Sequence, residues 1–240
     1  MIDIPNIDYN KKVNLIGTAH FTRRSTNDAY EAVRSLKPED IALELDWRRY
    51  RHLNAACVCC PKSEFCKGLC EFTSAADALG NVDANIWLID MTEQEIRERI
   101  RSRMTPFERP RMGLAVRHPP GENPVRLWEM GYKEKVINNS EKQMEALRRF
   151  SPSVWMVLID ERNALMAARL AWIASKRKEG KKPKILAFVG AAHTKGIEDL
   201  LRKPCMIAES FKRLNLSFSE PTLIRRVAIQ ETEAFNSSAA

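Results

Sequence analysis

A glycine, two small residues and a histidine follow an apolar run twice in this chain, once near each end. Gly17-Thr18-Ala19-His20 comes after Val13-Asn14-Leu15-Ile16, and Gly190-Ala191-Ala192-His193 comes after Ile185-Leu186-Ala187-Phe188-Val189. Short, continuous apolar runs that stop at a turn residue read as strands buried on both faces, and each precedes a segment able to open a helix. Such strands belong in a mainly parallel sheet, where ligands bind in the crevice beyond the carboxyl ends of the strands. Both imidazoles are therefore expected at one rim of one sheet, whatever their distance along the chain. Glycine suits the corner because the chain turns sharply where a side chain would obstruct it.

A histidine after a strand is commonly a satisfied, partly buried residue with no further task. The repetition argues otherwise, since the chain has only four histidines and two share one local frame. His52, at the end of Arg48-Arg49-Tyr50-Arg51-His52, reads as part of a solvated helix face, and His118, before Pro119-Pro120-Gly121, as a loop residue.

A chain of 240 residues can bury a sizeable core, and α/β domains of this size are commonly single units, so one domain over 1–240 is expected. Asp3, Asn6 and Asp8 interrupt any secretory pattern, and the best apolar stretch, Val154 to Ile159, is far too short to span a bilayer. The expectation is a soluble cytoplasmic protein with no membrane partner. A net charge of +8 invites a nucleic-acid reading. The basic residues are spread, however, and several have partners at helical spacing, Glu93 with Arg97 and Glu95 with Arg99. No aromatic-studded sheet motif, helix-turn-helix or zinc finger accompanies them, which disfavours nucleic acid as a partner.

After His20, Ser25 and Asp28 form a capping-box pattern, and Ala29, Val33 and Leu36 share one helical face until Pro38 stops the run. Ile41-Ala42-Leu43-Glu44-Leu45 reads as the next strand, giving a parallel strand-helix-strand unit. Ile86 to Ile89 is a third strand, and Thr92 with Glu95 caps the following helix. The proline-rich stretch 105–124 reads as an irregular loop or lid. A helix over about Ser140 to Phe150 and a longer one from Pro152 to Lys178, with Ser151 as its cap, precede the second histidine strand. Leu223 to Ile229 reads as a late strand at a sheet edge.

Two features carry chemistry. Glu44 stands among Ile, Ala and Leu in its strand, with Asp46 two residues on, and an ionised carboxylate is costly to bury unless it is paired or bound to a metal. One reading pairs Glu44 with Arg23 or Arg48 at the strand end. The other joins it to His20 and His193, a common ligand set for a catalytic metal that keeps an open position for water. Glu44 as general base, with Asp46 as a further ligand, is a variant of the same reading. The second feature is Asp160-Glu161-Arg162-Asn163, which interrupts an apolar helix pattern. Four consecutive residues sweep about 300° around a helix, so at least one points to the packed side. Glu161 lies on the apolar stripe and reads either as a structural ion pair or as a site residue. Arg162, always charged and with a planar fork, reads as a substrate or oxyanion contact.

The run Val13 to Tyr50, the Asp160-Glu161-Arg162-Asn163 block and Phe188-Val189-Gly190-Ala191-Ala192-His193 together resemble the TraB/PrgY family. Its relatives include the Tiki proteins, within a wider group similar to erythromycin esterase and ChaN. The resemblance covers most of the chain outside 51–135. It implies an α/β domain, a mostly parallel central sheet flanked by helices, with both Gly-x-x-His histidines and the strand glutamate in one site, here His20, His193 and Glu44. The family's helix arginine corresponds to Arg162. Tiki members are described as metal-dependent proteases, and PrgY-type members are linked to shutting down peptide pheromones.

Five of the six cysteines, Cys57, Cys59, Cys60, Cys66 and Cys70, crowd one short stretch, and Cys205 stands alone. Without a secretory signal such density points to metal or redox chemistry rather than disulfides. Cys57, Cys60, Cys66 and Cys70 are the preferred ligands for zinc or an iron-sulfur cluster, with Cys59 able to replace Cys57. Free thiols packing a small loop are the alternative. The resembled family does not require this cluster, so it reads as an insertion over about 55–75. Together these features predict a hydrolase with a divalent metal ion at the His/Glu site, acting on a peptide or small-molecule substrate. The competing reading is a non-catalytic ligand- or metal-binding regulator that senses redox state through its cysteines. The sequence leaves oligomeric state open.

Overall fold

The computed structural model describes residues 4–19, 22–59, 75, 84–115, 124–177 and 185–225. Strands β1 (Val13–Thr18), β2 (Asp40–Leu43), β3 (Asn85–Leu88), β4 (Ile185–Gly190) and β5 (Thr222–Arg225) form one sheet in the order β1-β4-β2-β3-β5. The first four are parallel, and β5 runs antiparallel to β3 at the edge. The α/β architecture expected from the apolar runs is therefore present. One detail differs: β1 and β2 do not pair, because β4 lies between them. Burial explains the order. Every residue of β4 is buried and suits a central position, whereas most of β1 is only partly buried and suits an edge.

Helices α1 (Arg23–Leu36), α2 (Trp47–Cys59), α3 (Glu93–Arg103), α4 (Glu108–Ala115), α5 (Pro124–Glu129), α6 (Lys133–Phe150) and α7 (Pro152–Trp155) follow in chain order. A π-helical turn, Met156–Glu161, then leads into α8 (Arg162–Ser175), and α9 (Ala191–Arg202) and α10 (Cys205–Leu214) complete the set among the described residues. Helix α1 starts earlier than its sequence pattern suggests. Thr22, not Ser25, is the cap, accepting from the Ser25 amide at 3.2 Å. The Ser25 hydroxyl instead accepts from the Ala19 amide at 3.1 Å, and Asp28 pairs with Lys133, so the expected box has other partners. The helix closes at Lys37, left-handed at φ 46°, just before Pro38.

Helix α3 carries the expected Thr92/Glu95 capping box. Arg97 pairs with Glu93 at 2.8 Å, but Glu95 is committed to the cap and Arg99 turns to Glu161 instead. Helix α4 occupies part of the stretch read as irregular. Its Pro110 falls in the first turn, where a missing N–H breaks no helical bond. The rest of that stretch, 116–123 with His118, lies outside the described residues. Helix α6 extends well ahead of Ser140.

The sheet is covered on both faces. Ile41, Leu43, Ile86, Leu88, Leu186 and Phe188 pack with Ala29 and Val33 of α1. Ala42, Trp87, Ala187 and Val189 point the other way, onto α8, α9 and α10. Alternate residues of each strand thus serve opposite layers. Helix α8 is buried nearly throughout, and its alanines belong to the core layer on that face of the sheet. Among the described residues no helix is long and apolar enough to cross a membrane.

Candidate active site at the carboxyl end of the sheet

Because β1 and β4 pair in parallel, their two glycine corners lie side by side, Thr18 opposite Gly190 and Gly17 opposite Val189. A Cβ on Gly17 would come within 2.7 Å of the Thr194 hydroxyl and 3.3 Å of the Ala191 Cα, so glycine is what lets the first turn of α9 close on β1. Ala19 and Ala191 pack against one small apolar cluster, that of Leu127, Trp128 and Val136. His20 itself lies outside the described residues.

His193 is the third residue of α9 and is buried. Its Nδ1 is 2.7 Å from Oδ1 of Asn163. An acceptor at that distance suits a proton on Nδ1 and fixes the orientation of the ring. Gly196, one turn further on, makes room for Asn163: a Cβ there would collide with its Nδ2. Nε2 faces Oε1 of Glu44 at 3.5 Å.

Glu44 follows β2 directly and is buried. Its amide continues the ladder to the Phe188 carbonyl at 3.1 Å. Oε2 accepts from the Gly190 amide at 2.5 Å, and Oε1 accepts from Nη2 of Arg162. Neither Arg23 nor Arg48 is the partner; the guanidinium comes from α8, far along the chain. Arg162 also grips Asp90 at both carboxylate oxygens, Nε to Oδ1 at 3.0 Å and Nη2 to Oδ2 at 2.8 Å. Arg49 completes the network, with Nη2 2.5 Å from Asp90 Oδ2 and Nε 2.6 Å from Asp46 Oδ2. Asp46 also accepts from the Arg48 and Arg49 amides at 2.7 and 3.1 Å, so it caps α2 and faces Arg49.

Burial raises the Asp90 carboxyl, but Arg162 and Arg49 outweigh it and hold the group at about 2. Arg162 is drawn down by burial and lifted above its ordinary value by Asp90 and Glu44. Arg169, which donates to the Asp90 carbonyl at 2.6 Å, is lowered by its burial.

The polar quartet is served by the π turn, whose extra residue alters the angular spacing just before Arg162. Glu161 is fully buried against Arg99 and Arg103, which fits the structural ion pair. Arg162 and Asn163 turn instead to Glu44 and His193. Arg162 is thus committed to Glu44 and Asp90 rather than offered to solvent. Sequence reasoning missed Asp90, Arg49 and the role of Asn163. Asp90 did leave a signal, since it ends Ile86-Trp87-Leu88-Ile89 much as Glu44 ends Ile41-Ala42-Leu43. Arg49 is hidden in a basic run, and nothing local distinguishes Asn163.

A divalent ion fits one part of this geometry. Ligand distances near 2.1 Å and a tetrahedral angle place two donors about 3.4 Å apart, close to the 3.5 Å between His193 Nε2 and Glu44 Oε1. The Nδ1 anchor on Asn163 is the outer contact that ligating histidines use. Among the described residues no group of three His, Cys, Asp or Glu side chains could hold a metal ion. Cys60, Cys66 and Cys70 lie outside the described residues, and of Cys57 only the helical backbone is described.

No family model matches the chain. Among curated proteins it is similar to an uncharacterized protein of Methanocaldococcus jannaschii, 28% identical over 219 residues that cover 80% of this chain and 53% of that protein. The chain therefore spans about half the length of the curated relative it matches.

Proposed function

We propose that this chain is a divalent-metal-dependent hydrolase of peptides or small amide-type substrates, with its site at the rim where β1, β4 and β2 end. The observation that carries the reading is the oriented pair of His193 and Glu44, whose spacing suits two ligands of one ion. His20, from the matching Gly-x-Ala-His corner, would be the third ligand. The resemblance to the TraB/PrgY family supports the same three residues.

Each residue then has a distinct task. Asn163 holds His193 through Nδ1, so Nε2 is turned towards Glu44 at the rim. The Gly190 amide and Arg162 fix both oxygens of Glu44, each of which retains a lone pair. Asp90 holds Arg162 by two bonds and is therefore a positioning residue for Glu44. A bound divalent ion would supply Lewis acidity, polarising a scissile carbonyl and acidifying water at neutral pH.

The test is peptide hydrolysis by the full chain supplied with zinc, manganese or iron(II), wild type beside His193→Ala and Glu44→Gln. Metal-dependent turnover that falls at least about 100-fold in both variants is expected. Equal turnover in wild type and variants, or turnover indifferent to chelation, would refute the reading.

A further inference from the structure

We infer that α5 is a latched cover over this rim, held shut by exposed polar contacts and lifting to admit a substrate. The inference rests on the rim being the functional site. Leu127 and Trp128 of α5, with Val136 of α6, form an apolar cluster separate from the two main cores, and the residues packed against it include Ala19 and Ala191. These are the small residues of the two histidine corners, so α5 sits over the place where both motifs emerge.

Two contacts fasten α5 and the start of α6 to α1. The Glu129 carboxylate accepts from the backbone amides of Arg23 and Arg24, the latter at 3.2 Å, and so occupies the amino end of α1. At the first residue of α6, Lys133 pairs with Asp28, both side chains more than a third exposed. Gly131, at φ 92°, lies between the two latches and makes the bend from α5 to α6. Exposed contacts of this kind are individually weak and are screened by salt.

The closed arrangement also has a defect. The Trp128 indole N–H is buried with no hydrogen-bond partner among the described residues, in a side chain only 1% exposed. A buried unpaired donor disfavours the state that contains it. Lifting α5 gives that N–H access to water, or to a neutral acceptor such as the carbonyl of an incoming peptide. The apolar neighbours Leu127, Val136, Ala19 and Ala191 favour an uncharged group there.

Deuterium exchange of the indole N–H groups, followed by nitrogen-15 NMR on the full chain without metal or substrate, tests this directly. Trp128→Phe identifies the Trp128 signal. Trp87, whose Nε1 donates to Asp40 at 2.8 Å at the start of β2, is the internal reference. Glu129→Ala and Asp28→Asn each remove one latch. Exchange at Trp128 is expected to accelerate about tenfold, equivalent to about 1.4 kcal/mol, with Trp87 unchanged. Acceleration of Trp128 alone in either variant supports the cover. Unchanged exchange in both, or acceleration only where Trp87 follows in step, overturns it. Hydrolysis plays no part in the readout, so a latched but inactive chain and an active chain with a fixed α5 are told apart.

Discussion

The orientation of the His193 ring at the rim depends on Asn163, whose Oδ1 lies 2.7 Å from Nδ1. Replacing Asn163 with Leu keeps the branched shape and removes the acceptor. Divalent-ion affinity, followed by calorimetric titration, is expected to weaken about 10- to 100-fold, and Asn163→Asp, which still accepts, is expected to recover most of it. Asp90 answers to a different force, since it is fully buried between two guanidinium groups. Asp90→Asn leaves Arg162 and Arg49 without that charge, and a loss of about 3–5 kcal/mol in urea unfolding is expected. The pH dependence has a definite sign. The folded carboxyl is held at about 2, below its ordinary 3.8, so its contribution is complete above about pH 4 and is lost as the pH falls towards 2. The stability gap between wild type and Asp90→Asn is thus expected to narrow over that interval, by on the order of 2 kcal/mol.

Among the elements, the π turn Met156–Glu161 sorts consecutive residues into separate tasks, Glu161 to α3 and Arg162 and Asn163 to the rim. Glu161 has no solvent exposure, so Arg99→Met with Arg103→Met strands a buried carboxylate. That double variant is expected to lose about 3–5 kcal/mol, and adding Glu161→Leu is expected to restore most of it, because a well-packed apolar group replaces a buried ion pair at little cost. Comparing urea midpoints of the three proteins checks this. Elements were legible in the sequence where the signal was local. The apolar runs marked β1, β3 and β4, Glu44 stood out as a charge in an apolar strand, and Thr92 with Glu95 announced α3. The start of α1 was not legible, because both Thr22 and Ser25 suit a cap and the Ala19 amide, a contact across the corner, engages Ser25.

At the scale of the whole molecule, the sheet order β1-β4-β2-β3-β5 brings the two glycine corners of a sequence repeat side by side. No local pattern states that β4 enters between β1 and β2, since pairing order follows from which strand is buried on all sides. That insertion brings the Gly190 corner next to Thr18 on one side and the Glu44 strand on the other, so His193 stands beside Glu44. The network around Asp90 was illegible for the same reason, because Arg49 and Arg162 meet there only after the layers close. Elemental analysis of protein purified without oxygen, wild type beside His193→Ala and Cys60→Ser, tests the central claim most directly. It is expected to find a divalent ion in wild type that His193→Ala loses and Cys60→Ser keeps. Undiminished content of every metal in His193→Ala would contradict it.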